Sequence, residues 1–192
     1  MVKSAPSART RPTLLLLTVL LLAAVACGDS SADERSAPEG PDAEAQVKKL
    51  NLELPKPPAP VANYVGAVRT GNLMFLAGAG AQRPDGSYIA GRLGETFNIQ
   101  QGYDAARQTA LVHLGTLKAE LGDLNRVKRV VKVLGLVNSA PSFTDQPKVI
   151  NGYSDLIVEV FGERGKHARS AVGMAVLPFN IPVEVETIVE VD

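Results

Sequence analysis

A single cysteine among 192 residues excludes a disulfide within the chain. The complete absence of tryptophan removes any indole stacking platform. Two histidines and scattered acids make no metal-ligand spacing, so no metal is expected. Charge of either sign is not in excess: 20 Lys and Arg balance 20 Asp and Glu. Without a basic stripe, a nucleic-acid partner is not expected. Gly78-Ala79-Gly80 falls short of the dinucleotide-binding spacing, and no cofactor is expected either. What is present, 45% hydrophobic and 21% charged residues, suits one globular domain of ordinary size.

The first residues stand apart from that domain. Lys3, Arg9 and Arg11 form a basic head without an acid, and residues 14–25 follow as an almost wholly apolar run. The run is shorter than the ~20 residues a membrane-spanning helix needs, so it reads as a secretory signal peptide over 1–26. It ends in Ala24-Val25-Ala26-Cys27, which resembles a bacterial lipobox. That resemblance implies cleavage before Cys27, lipidation of its thiol and anchorage to a bacterial membrane, facing the periplasm or the cell surface. Two or more acyl chains suffice to hold a protein there, each buried methylene contributing ~0.8 kcal/mol. Residues 28–42 carry no large apolar side chain, and 27–45 reads as the lipidated cysteine and a disordered tether.

The remaining stretch, 46–192, patterns as an α+β domain. Val47, Leu50 and Leu54 suit a short helix over 43–54, stopped by Pro55 and Pro57. Strands are expected at 64–69 and 73–77 around a Thr70-Gly71-Asn72 turn, with a short extended piece at 87–90. Ala105, Ala106, Thr109, Val112, Leu117 and Leu121 stripe a helix over 99–121, which Gly122 is placed to end. A valine-rich strand over 127–138, a helix over 146–161 with Pro147 in its first turn, and strands at 170–176 and 183–191 complete the pattern. The expected product is a mixed sheet with two helices on one face.

The last strand draws the chemistry. Alternation sends Val183, Val185, Val189 and Val191 to one face and Glu184, Glu186, Ile188 and Glu190 to the other. A row of carboxylates is unremarkable if wet and costly if buried. Just upstream, Arg169 offers a planar, permanently charged fork suited to a carboxylate, on a strand expected to pair with the last one. His113 reads as structural, His167 as a residue at the rim of a cleft, and Asp155 with Glu159 as a solvated helix face.

Ala168-Arg169-Ser170, then Leu177-Pro178, then Val183-Glu184-Val185-Glu186, resemble the signature of the RidA (YjgF) family in order and spacing. Asn63-Tyr64-Val65, Thr70-Gly71-Asn72 and Val149-Ile150-Asn151 fall where that family has its other motifs. The resemblance implies a chorismate-mutase-like fold, a homotrimer and a cleft between subunits. Arg169 would clamp a substrate carboxylate and Glu184 would activate water. Ala171 would hold that water through its carbonyl, and Tyr64, Ala77 and Asn151 would line the cleft, Tyr64 from a neighbouring subunit. Two positions depart from the best-known members: Ala77 stands where they have serine, and Ala171 where they have a cysteine.

The reaction so implied is hydrolysis of 2-imino acids or their enamines to 2-keto acids and ammonia. Its alternative is a non-catalytic module that holds small carboxylates in the same cleft. Ribonuclease activity, often attached to the family by name, is disfavoured by the neutral charge and the lack of a catalytic histidine pair.

Overall fold

A computed structural model describes residue 1 and residues 39–57, 59–83 and 85–192. The expected signal peptide, Cys27 and most of the expected tether lie outside the described residues. No helix among the described residues is long and apolar enough to cross a membrane.

Helix α1 (Ala43–Lys49) starts three residues before the expected domain boundary and stops earlier than the pattern suggested. Its start is built from side-chain contacts. Asp42 caps it, accepting from Ala45 N; Asn125 Oδ1 accepts from Ala43 N at 2.8 Å; and Glu44 accepts from Lys118 Nζ at 2.8 Å and Leu124 N at 2.9 Å. Arg164 spans the gap, donating to the carbonyls of Pro41 and Val127. Each bond satisfies a backbone group that a helix terminus leaves open, or ties the chain to a distant element.

Strands β1 (Ala67–Thr70) and β2 (Leu73–Gly80) make a hairpin, and then come α2 (Ile99–Leu121), β3 (Val127–Asn138), α3 (Gln146–Phe161), β4 (Ala168–Met174) and β5 (Val183–Val191). The expected strand at 87–90 is instead an isolated bridge between Gln82 and Tyr88. The longer elements obey local rules. Asn98 and Gln101 form a reciprocal capping box at the start of α2, and Gly122 ends it in the left-handed conformation at φ 76. Pro147 sits in the first turn of α3, where a missing amide costs nothing.

The five strands are ordered β1-β2-β5-β3-β4. β5 runs antiparallel between β2 and β3, while β3 and β4 are parallel and joined through α3. This corrects the expectation that the strand of Arg169 pairs with the last strand. β4 pairs with β3 alone and lies at the sheet edge. A parallel partner needs a crossover connection, and α3 provides it.

Helices α2 and α3 pack on one face of the sheet. Val133, Val137, Val183, Val185 and Val189 meet Leu114, Leu117, Ile150, Leu156 and Ile157 there, all nearly without exposure. The other face is open. Val68, Phe75 and Val172 remain 55%, 40% and 42% exposed. A groove of about 480 Å³ runs across that face, walled by Val68, Phe75, Lys132, Leu134, Glu186 and Ile188.

Candidate functional site

The residues singled out above fall into two groups. The first gathers around a bulge in β2. Leu76 pairs with Thr187 and Ala79 with Val185, so Ala77 and Gly78 together oppose Glu186 alone. At the bulge the Ala77 amide donates to Gly66 O at 3.0 Å, and the Ala77 carbonyl accepts from His113 Nε2 at 3.1 Å. Gly78 leaves room for the Glu184 carboxylate, which lies across the bulge: a β-carbon there would push that carboxylate aside. Glu184 belongs to the open face, because its neighbours Val183 and Val185 are fully buried beneath the helices. Burial, with a smaller contribution from the nearby Glu186, pushes its carboxyl above the usual carboxylate range.

Tyr64 and Ala77 share the walls of a small cavity of about 50 Å³ with Gly78, Tyr88, His113 and Thr116. Pro57, Ala59 and Pro60 close one side of it, so the proline-rich stretch after α1 serves as a wall.

Sequence reasoning missed what stands behind this bulge. Thr187 Oγ1, Tyr153 Oη, His113 Nδ1 and Nε2, and the Ala77 carbonyl form one continuous chain, with links of 2.7, 2.8 and 3.1 Å. It crosses the core from β5 through α3 and α2 to β2, and its three side chains are at most 3% exposed. A carbonyl can only accept, so Nε2 carries the histidine proton, Nδ1 accepts from Tyr153, and Tyr153 accepts from Thr187. Burial lowers His113 to about 4 and raises the Tyr153 phenol, so both stay neutral. The visible signal was Thr187, a polar residue at a position where its strand otherwise turns valines inward.

The second group sits where β4 meets α3. Arg169 Nη1 donates to Asn151 Oδ1 and to Ser154 Oγ, both at 3.0 Å. Ala171, two residues on, turns toward the same face and packs against the core. Ser154 was not anticipated. His167 lies near Arg169: its Nε2 meets Ser154 Oγ at 3.0 Å and its Nδ1 meets Gly165 O at 2.6 Å. Asp155 and Glu159 lie on an exposed face, as expected, and there bind Tyr103 and Arg107, linking α3 to α2.

One chain therefore brings Tyr64 and Ala77 to one cavity, with Glu184 against Gly78 at the same bulge, and separately gathers Asn151, Arg169 and Ala171, but does not join the two sets. Arg169 pairs with Val133 on the helix side, Glu184 pairs with Leu136 on the open side, and β3 stands between them. Among the described residues no cluster of three His, Cys, Asp or Glu side chains gathers as a metal site.

A mixed sheet of this order with helices on one face is the architecture of the family described as "YjgF/chorismate_mutase-like, putative endoribonuclease", which matches residues 44–191. The chain belongs to this YjgF/RidA-like family. It is 46% identical over 149 residues to Protein TCP17 of Trypanosoma cruzi, a match covering 77% of this chain and 93% of that protein. The crystal structure of Atu1372 from Agrobacterium tumefaciens superposes with a TM-score of 0.72 at 42% identity, over 78% of this chain and 94% of that one. RidA from the Antarctic bacterium Psychrobacter superposes at 0.51 with 27% identity, over 71% and 94%.

Proposed function

We propose that the protein is a hydrolytic deaminase of small 2-imino acids and their enamines, working in a cleft completed between copies of the chain. The observation that carries this reading is the division of the site: a carboxylate of raised pKa and an arginine fork, each well supported, on opposite faces of one sheet. Such halves act together only if another copy supplies the missing one. The open sheet face, with Val68, Phe75 and Val172 exposed, offers the apolar area for that association, and a homotrimer is the assembly proposed.

The chemistry needs little more. An imine conjugated to a carboxylate is already electrophilic. Arg169 binds the carboxylate and orients the C=N carbon; such positioning can contribute several kcal/mol. Glu184 takes a proton from water as the oxygen adds to that carbon, and the nitrogen gains a proton. The carbinolamine so formed breaks its C–N bond, releasing ammonia and leaving the 2-keto acid. A carboxyl whose pKa burial raises suits both the taking and the giving of that proton, and such help typically contributes ~100- to 10,000-fold.

An amino-acid oxidase that generates 2-imino acids in situ supplies the test. Disappearance of imine should quicken with the wild-type chain and not with Arg169→Ala; equal rates for the two would end the reading. Saturable binding of a 2-keto acid without turnover of any imine would instead favour the binding module, for which the missing hydroxyl at Ala77 is the motive. The proposal includes location: an exported protein held to a membrane by lipid on Cys27. Radiolabelled palmitate should enter the wild type and not Cys27→Ala.

A further inference from the structure

Among the described residues Arg169 is held by one nitrogen only. Both of its hydrogen bonds leave from Nη1, to Asn151 and Ser154, and among the described residues it makes no ion pair. That leaves the edge formed by Nε and Nη2, which is the pair of donors a carboxylate takes in a bidentate contact.

What aims that edge can be deduced from the protons. The Gly165 carbonyl only accepts, so His167 Nδ1 carries its hydrogen and donates across 2.6 Å. In the neutral ring Nε2 is then a bare acceptor, and the Ser154 hydroxyl must donate to it across 3.0 Å. With its proton committed to His167, the Ser154 oxygen presents lone pairs to Arg169 Nη1. Burial is the main cause that holds His167 below its usual range, with the Arg169 charge adding to it, which keeps the ring neutral near pH 7. The direction of every bond in the series Arg169, Ser154, His167, Gly165 is thereby set from a backbone carbonyl outward.

We propose that Ser154 and His167 are positioning residues for the carboxylate clamp: they lock one side of the Arg169 guanidinium so that its other side is presented to an anionic substrate. The inference rests on the reading of Arg169 as that clamp. Ser154 holds the guanidinium directly, and His167 acts through Ser154 by taking its proton. Asn151 shares Nη1 but has no comparable support behind it among the described hydrogen bonds.

Paired variants of the full chain separate hydrogen bonding from packing. Ser154→Thr keeps the hydroxyl and Ser154→Val has the same shape without it. His167→Gln keeps an acceptor toward Ser154 and His167→Phe keeps a ring without one. Losing a hydrogen bond to a charged group should raise KM, and the inhibition constant of the product 2-keto acid, about 10- to 100-fold in Ser154→Val and His167→Phe. Their kcat should fall by a smaller factor than KM rises, since the clamp serves binding first and orientation second. Ser154→Thr and His167→Gln should stay close to wild type, and thermal unfolding identifies any variant that fails to fold. Equal KM within either pair overturns the proposal. Should Arg169→Ala leave KM unchanged, the clamp reading itself falls, and nitrogen NMR of the Arg169 guanidinium still decides the local question. Separate Nη signals in the wild type that merge in Ser154→Val support the lock; identical spectra overturn it.

Discussion

The two halves of the candidate site are built by opposite means. The Glu184 half is made by the core: a bulge in an interior part of the sheet, propped from behind by a buried chain of neutral polar groups that ends on the Ala77 carbonyl. The Arg169 half is made at an edge, by a short series of hydrogen bonds from α3 and the loop before β4. The difference suits the role proposed for each charge. A carboxyl that moves a proton benefits from shelter, which raises its pKa. A guanidinium that must remain charged needs aim, because shelter would only cost solvation. One half depends on depth, the other on orientation.

That contrast can be broken from its deeper side. Gly78→Val would place side-chain atoms where the Glu184 carboxylate lies. Imine turnover should fall by ~100-fold or more, the share general acid–base help supplies, while binding of a 2-keto acid through Arg169 persists. Loss of both together would mean that the halves are not independent.

Lowering the pH strains the same side. His113 is held at about 4 when folded, against 6.5 as the ordinary value. Between these values the unfolded chain takes up a proton that the folded chain refuses. Stability is therefore full above pH ~6.5 and is lost as the pH falls toward ~4, by on the order of 3 kcal/mol. Denaturant titrations between pH 4 and 7 should show that slope, and His113→Gln should flatten it. A slope unchanged in His113→Gln would assign the loss to other groups.

A smaller effect sharpens the comparison. Tyr153→Phe removes one hydroxyl and leaves His113 Nδ1 and Thr187 Oγ1 without their partner. Unfolding free energy should drop by about 1–3 kcal/mol, measured by urea denaturation. Ser154, the next residue on α3, should still bind Arg169, so KM should hardly move. A rise in KM would show that the buried chain supports both halves.

Much of this was legible in the residues. The bounds of α2, β3, α3 and β5 follow from signals that act locally: Gly122, Pro147 and the long valine pattern. β1 and β4 began elsewhere than expected, because edge strands end where a partner ends and not where a pattern does. The candidate site residues were named as a set through the family resemblance. Their separation was not, since nothing in the spacing of Arg169 and Glu184 says that β3 inserts between their strands. The support behind them, from Tyr153, Ser154 and Thr187, depends on contacts more than ten residues apart, which no local periodicity encodes.

The anchoring of α1 has a mechanical consequence. Arg164, Asn125 and Glu44 tie residues 41–44 to the start of β3, so a pull on the N-terminus is first borne there. Leu136, beside Glu184, lies nine residues farther along that strand from Val127, about 30 Å at the usual rise. If the chain is tethered as proposed, tension would load this clasp first, far along the strand from Glu184.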